Sequence, residues 1–114
     1  MGASGTISGS LSGTLLYMPP EILRGENATT ASDVFSLGAC VYELFTGRHP
    51  FAADTALDVL EAIECRPVAP AGSVRPAVPP DLDRVIHQML DRNPEGRPAG
   101  KLVAQVFAQK NKTG

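Results

Sequence analysis

Ser32-Asp33-Val34-Phe35-Ser36-Leu37-Gly38-Ala39-Cys40-Val41-Tyr42-Glu43-Leu44-Phe45-Thr46-Gly47 is the stretch on which the fold turns. Val34, Leu37, Val41 and Leu44 recur at helical spacing, while Ala39, Cys40 and Phe45 put apolar groups on other faces. A helix that is apolar nearly all round is a buried one, so this segment predicts a central helix. Thr30-Ala31-Ser32-Asp33 just upstream has the form of a capping box, in which a hydroxyl takes a free backbone N–H and the acid reaches back. Gly47 supplies the C-terminal stop.

Helical patterns extend outward from this centre. Pro19-Pro20 leads into a short turn of helix at Glu21–Leu23, ended by Gly25 and Asn27. Thr55-Ala56-Leu57-Asp58 forms a second capping box and opens a helix to about Glu64, with Leu57, Leu60 and Ile63 on one stripe. Pro67, Pro70, Pro76, Pro79 and Pro80 argue against regular structure between residues 66 and 80. A further helix starts near Pro80, with Asp81 and Asp83 at its positive end and Leu82, Val85, Ile86, Met89 and Leu90 inward. Asn93-Pro94 ends it. The last helix runs from about Gly100 to Gln109, with Leu102, Val103, Val106 and Phe107 inward. Residues 1–13, rich in Gly and Ser, read as a loop or frayed terminus. No strand pattern or repeat stands out, and the fold class is all-α.

Composition sets the bounds. The chain has 114 residues, which suits one domain rather than two. Hydrophobic residues make up 43% and charged residues 19%, too apolar for a disordered chain. A net charge of −2 without a basic run argues against nucleic acid or an anionic membrane as partner. No apolar run approaches a membrane span, and no signal-peptide pattern is present. Cys40 and Cys65 lack metal-ligand spacing and read as thiols in a reducing compartment, which places the chain in the cytoplasm. With aromatics at 5% and no tryptophan, the core is expected to be Leu, Val, Ile and Ala.

Three segments, in order, give the chain a family likeness. They are Gly13-Thr14-Leu15-Leu16-Tyr17-Met18-Pro19-Pro20-Glu21, Ser32 to Gly38 continuing through Tyr42-Glu43-Leu44-Phe45-Thr46-Gly47-Arg48-His49-Pro50-Phe51, and Met89-Leu90-Asp91-Arg92-Asn93-Pro94-Glu95-Gly96-Arg97-Pro98. Together they resemble the C-terminal lobe of eukaryotic-type protein kinases, and the Gly-Thr-x-x-Tyr form resembles the Ser/Thr-specific branch, its bacterial members included. The resemblance implies the helical lobe of that fold over residues 14–109, an activation-loop remnant at 1–13 and a tail at 110–114. It implies that Thr14 and Tyr17 line the pocket for a substrate hydroxyl. It implies a buried ion pair between Glu21 and Arg97, whose groups are suited to two parallel hydrogen bonds. Asp33 and Gly38 match anchor positions of the central helix; in the family the aspartate holds the catalytic loop, whereas in this chain it can serve its capping box. Thr6 and Ser8 stand where bacterial relatives carry activating phosphates. Pro19, Phe35 and Ala99 depart from the usual alanine, tryptophan or tyrosine, and Ser/Thr; the last removes a helix cap worth about 1 kcal/mol.

Phosphoryl transfer needs a Gly-rich loop, a strand-borne lysine, a catalytic-loop aspartate and asparagine, and an Asp-Phe-Gly. None of these motifs occurs in the 114 residues. The expectation is therefore a partial kinase domain, lacking the β-rich lobe and catalytic loop and starting inside the activation segment. It has no catalytic, ATP-binding or metal-binding residue of its own, and Mg-ATP belongs to the intact enzyme only. Its expected partners are protein substrates or the missing N-terminal portion of a kinase. A stand-alone decoy or interaction module derived from a kinase is the alternative. Lesser patterns carry less: Gly2 to Thr6 fits N-myristoylation, Pro67-Val68-Ala69-Pro70 and Pro76-Ala77-Val78-Pro79 fit PxxP, and His49 and His87 have no ligand partners at metal spacing.

Overall fold

A computed structural model describes residues 17–113, with side chains through Gln109. It contains α1 (Pro20–Leu23), α2 (Thr30–Thr46), α3 (Ala56–Cys65), α4 (Ala71–Val74), α5 (Pro80–Met89), a 3-10 turn (Pro94–Gly96) and α6 (Gly100–Thr113). The described residues hold no strand.

Helix α2 is the hub: α4, α5, α6 and the 3-10 turn all pack on it. Its N-cap is Thr29, one residue before the expected Thr30. The Thr29 hydroxyl accepts from the Ser32 N–H at 3.4 Å, and Ser32 Oγ accepts from the Thr29 N–H at 3.1 Å. The box is thus Thr29–Ser32, and Asp33 stays exposed in the first turn. The shift has a cause. Ser32 Oγ also donates to buried Glu21 at 3.0 Å, a partner that no local pattern shows. At the other end Gly47 takes φ +77° and returns its N–H to the Glu43 carbonyl at 2.8 Å, the left-handed cap that glycine permits.

The buried face of α2 is Phe35, Gly38, Ala39 and Tyr42, with Val34 beside it. The predicted stripe of Val34, Leu37, Val41 and Leu44 is rotated away from this: Leu37 is 47% and Leu44 80% exposed. Aromatic rings, not aliphatics alone, form the centre. Phe35 and Phe51 are fully buried and stack at 5.5 Å with 9° between their planes. Such offset pairs add about 0.5–1.5 kcal/mol beyond area burial.

Gly38 sets how closely α2 meets α5. A Cβ there would lie 2.8 Å from the Met89 Cβ and 3.3 Å from a Leu90 methyl. The contact admits no side chain at this position.

Helix α3 caps with Thr55, whose hydroxyl accepts from the Asp58 N–H at 3.1 Å; the expected acid-to-backbone return bond does not accompany it. Its inward residues are Val59, Ala62 and Ile63, while Leu57 is 73% exposed, against expectation. The carbonyls at its C-terminal end are taken by Arg92, which donates to Ile63 at 2.8 Å, Ala62 at 3.0 Å and Arg66. The proline-rich segment contains a single helical turn, α4, where no regular structure was expected. Two long-range bonds hold that segment: Asp83 accepts from the Ala71 N–H at 2.8 Å, and Tyr42 donates to the Ala69 carbonyl at 2.8 Å. Helix α6 runs on past Gln109 to Thr113 and buries Val103, but leaves Leu102 exposed.

Gly38→Ala is expected to destabilise the chain by about 1–3 kcal/mol through overpacking. Leu57→Ser should stay within about 0.5 kcal/mol. Urea unfolding of the two variants checks the pair, and equal effects would refute the assignment of the α2–α5 contact.

Candidate functional site

The site is built around Arg97, which follows the 3-10 turn. Its side chain is wholly buried, and a guanidinium taken out of water has five N–H donors to satisfy. All five find acceptors. Nε donates to the Asp91 carbonyl at 2.7 Å. One terminal nitrogen donates to Glu21 Oε2 at 2.7 Å and to the Ala31 carbonyl at 2.9 Å. The other donates to Glu21 Oε1 at 2.8 Å and to the Arg92 carbonyl at 3.4 Å. The guanidinium also lies 4.9 Å from the centre of the Phe35 ring.

Glu21, in the first turn of α1, is 76 residues from Arg97 in the chain and 3% exposed. Hydrogen bonds from Arg97 hold its carboxyl down at about 2, against 4.5 ordinarily; burial opposes this, and the Glu21 and Ser32 donors assist. The shift corresponds to stabilisation on the order of 3 kcal/mol. Because the folded value is the lower one, that contribution is present above pH 4.5 and is lost as the pH falls towards 2.

Tyr17 forms the second anchor. Its hydroxyl donates to Glu43 Oε1 at 2.7 Å, and its carbonyl accepts from Ser36 Oγ at 2.6 Å. Ser36 and Glu43 lie two turns apart on one face of α2. The hydrogen bond to Glu43 comes first, and burial second, in pushing the phenol up to about 12. His49 stands edge-to-face with the Tyr17 ring at 4.8 Å.

The segment 17–21 is therefore held at both ends against α2. Thr6, Ser8 and Thr14 lie outside the described residues. Gly38 sits in the α2–α5 contact, and Asp33 lies on the exposed side of α2. Sequence reading missed the contacts of Ser32 with Glu21, of Ser36 and Glu43 with Tyr17, and of Arg92 with the end of α3. Only Ser36 and Glu43 left a trace, two polar residues seven apart in the mainly apolar middle of the helix. Among the described residues, no three His, Cys, Asp or Glu gather where a metal ion could bind. No helix among them is long and apolar enough to cross a membrane.

Known proteins share the fold. The protein kinase domain family matches residues 3–110. The chain is 41% identical over 95 residues to the serine/threonine-protein kinase PknL of Mycobacterium tuberculosis, covering 83% of this chain and 24% of that protein. It is 41% identical over 98 residues to the serine/threonine-protein kinase PknB of Mycolicibacterium smegmatis, covering 84% of this chain and 15% of that one. Among solved structures, the twitchin kinase region from C. elegans superimposes with a TM-score of 0.70 at 23% identity, over 77% of this chain and 16% of that one. The chain belongs to the protein kinase domain family, and its described residues form the helical C-terminal lobe of that fold. It spans a quarter or less of the length of these relatives.

Arg97→Ala is expected to cost about 3–5 kcal/mol at neutral pH, because it strands a buried carboxylate. The deficit should shrink as pH falls from 4.5 towards 2, where the parent chain loses the same pair. Urea unfolding across that range measures it; a constant deficit would show that the ion pair is not its source.

Proposed function

We propose that this chain is the substrate-side helical part of a Ser/Thr protein kinase, which in its intact form transfers the terminal phosphoryl of Mg-ATP to a protein hydroxyl. The observation that carries the reading is the buried Glu21–Arg97 pair at the end of the Gly13-to-Glu21 segment. The pair fastens that segment to α2 and the 3-10 turn, and Tyr17 is fastened four residues earlier through Glu43. Thr14 and Tyr17 then supply the pocket for the accepting hydroxyl. Thr6 and Ser8 are the candidate phosphorylation positions on the same segment. Asp33 and Gly38 anchor the central helix, one towards the catalytic loop and one against α5.

By itself the 114-residue polypeptide does not transfer phosphate. Kinase chemistry is largely positioning and charge stabilisation by metal ions, a lysine and a catalytic-loop acid. The 114 residues contain neither Asp-Phe-Gly nor His-Arg-Asp, which supports the reading that Mg-ATP belongs to the intact enzyme. No step is therefore assigned to this chain beyond holding the acceptor. The exposed Leu37, Leu44 and Phe45 of α2 support an apolar partner surface, which in this reading is the rest of a catalytic domain. The same face favours the second reading, a non-catalytic module that binds another protein.

A chimera separates the two. Residues 14–109 replace the matching stretch of the PknL kinase domain, and phosphorylation of a protein substrate is measured. The kinase reading expects activity in the chimera, a loss of about 10-fold or more with Tyr17→Ala, and no ATP-dependent thermal shift in the 114-residue chain alone. A folded but inactive chimera would favour the binding module.

A further inference from the structure

His49 lies in the loop that leaves α2 and is only 8% exposed. Its Nδ1 accepts a hydrogen bond from the Phe51 N–H at 3.1 Å, which places the ring proton on Nε2. That Nε2 is buried, and it has no hydrogen-bond partner among the described residues. Buried polar atoms without partners are uncommon and call for an explanation. The ring is wedged between two aromatic neighbours. Tyr17 lies 4.8 Å away, edge-to-face, and Phe51 lies 6.1 Å away and tilted.

We propose that His49 is an acid-sensitive positioning residue for Tyr17: the neutral imidazole props the Tyr17 ring against Glu43, and protonation of His49 releases it.

The chemistry of the surroundings gives the direction. A second proton can enter the ring only at Nδ1, the atom that now accepts from Phe51. Protonation therefore turns that bond into two donors facing each other. The cation so formed would be buried, with Nε2–H still unpartnered. The charged and titratable groups around it come from each neighbouring element. Glu43 acts on it from α2 and Tyr17 packs on it from the segment before α1, while Arg48 of its own loop and Arg66 at the end of α3, which donates to the Pro50 and Ala52 carbonyls, line the same cavity. Glu43 is the carboxylate whose charge favours the imidazolium, and it already accepts from Tyr17. A protonated His49 therefore leaves its seat against the Phe51 N–H, and its edge-to-face support of Tyr17 goes with it. Burial holds the imidazole below its ordinary 6.5, and Glu43 partly offsets this. The folded state therefore prefers the neutral ring, and the support it gives is complete above pH 6.5 and lost as the pH falls below it.

The titration concerns only His49 and Tyr17. Its consequence for an accepting hydroxyl rests on the kinase reading above, and the experiment keeps the two apart. His87→Asn in the full chain leaves His49 as the one histidine, so every imidazole resonance belongs to it. Nitrogen and proton spectra are followed from about pH 7.5 to about pH 5. The expected result is an Nε2–H tautomer at the upper end, a His49 midpoint below 6.5, and Tyr17 ring signals that move with that same midpoint. His49→Phe should abolish the Tyr17 step while keeping an aromatic wedge, with His49→Gln as the second variant should the first not fold. In the active chimera, the same pH range should raise KM for the protein substrate in the parent and leave the His49→Phe version flat. Tyr17 signals that stay constant, a step that persists in both variants, or an Nδ1–H tautomer would overturn the proposal. A coupled titration in an inactive chimera would uphold the switch and overturn only the kinase reading.

Discussion

A buried guanidinium has to be matched donor by donor, and Arg97 imposes that requirement on the chain. Its acceptors come from α1, from the first turn of α2 and from the residues between α5 and the 3-10 turn. No one of these segments can move without stranding a charge in a medium where an unpaired one is very costly. A buried ion pair need not be more stabilising than a well-packed apolar pair. What it does here is fix geometry. Leucines would hold the same pieces together with far less constraint on angle and register, whereas five directional bonds allow one arrangement.

The apolar part of the fold serves the same end. Phe35 stacks on Phe51 beneath the guanidinium, so the ring that fills the core also covers the charge. Gly38 brings α5 close enough for its C-terminal end to lead into the 3-10 turn and so deliver Arg97 to Glu21. Arg92 secures the other side, tying the end of α3 to the same turn. Two arginines five residues apart thus join the three ends of a helical frame. Leu37 and Leu44 of α2 stay exposed among the described residues, Leu44 almost entirely.

The sequence made the helices legible because their signals are local. Apolar spacing, Gly47 and the Thr-rich starts depend on neighbours within a turn or two. The errors share one physical origin, which is that burial is decided by partners distant in sequence. Thr29 and Thr30 are equivalent by pattern, and Ser32 chooses between them by reaching Glu21. Leu57 and Leu102 fit their stripes, yet among the described residues both stay largely exposed. Phe35 and Phe51 are few enough to look incidental in the composition, although their size makes them the natural centre of a small core. The Glu21–Arg97 pair was visible only through family resemblance, since no spacing rule connects residues 76 apart. Glu43 was read only as part of that resemblance, and its bond to Tyr17 was not visible at all.

Segment 17–21 is consequently held by two anchors of different chemical kind. At Glu21 both partners keep their charges until about pH 2, so the anchor is indifferent to any ordinary change in acidity. At Tyr17 the donor is a neutral phenol, held by a carboxylate and packed against an imidazole whose burial favours its neutral form. The permanent anchor lies next to the helical frame, and the adjustable one lies towards Thr14. A chain that needed only rigidity would gain nothing from the difference, because an apolar residue at position 49 would pack against Tyr17 without an orphaned donor. The asymmetry is what a segment requires if one end must stay fixed while the other changes its hold.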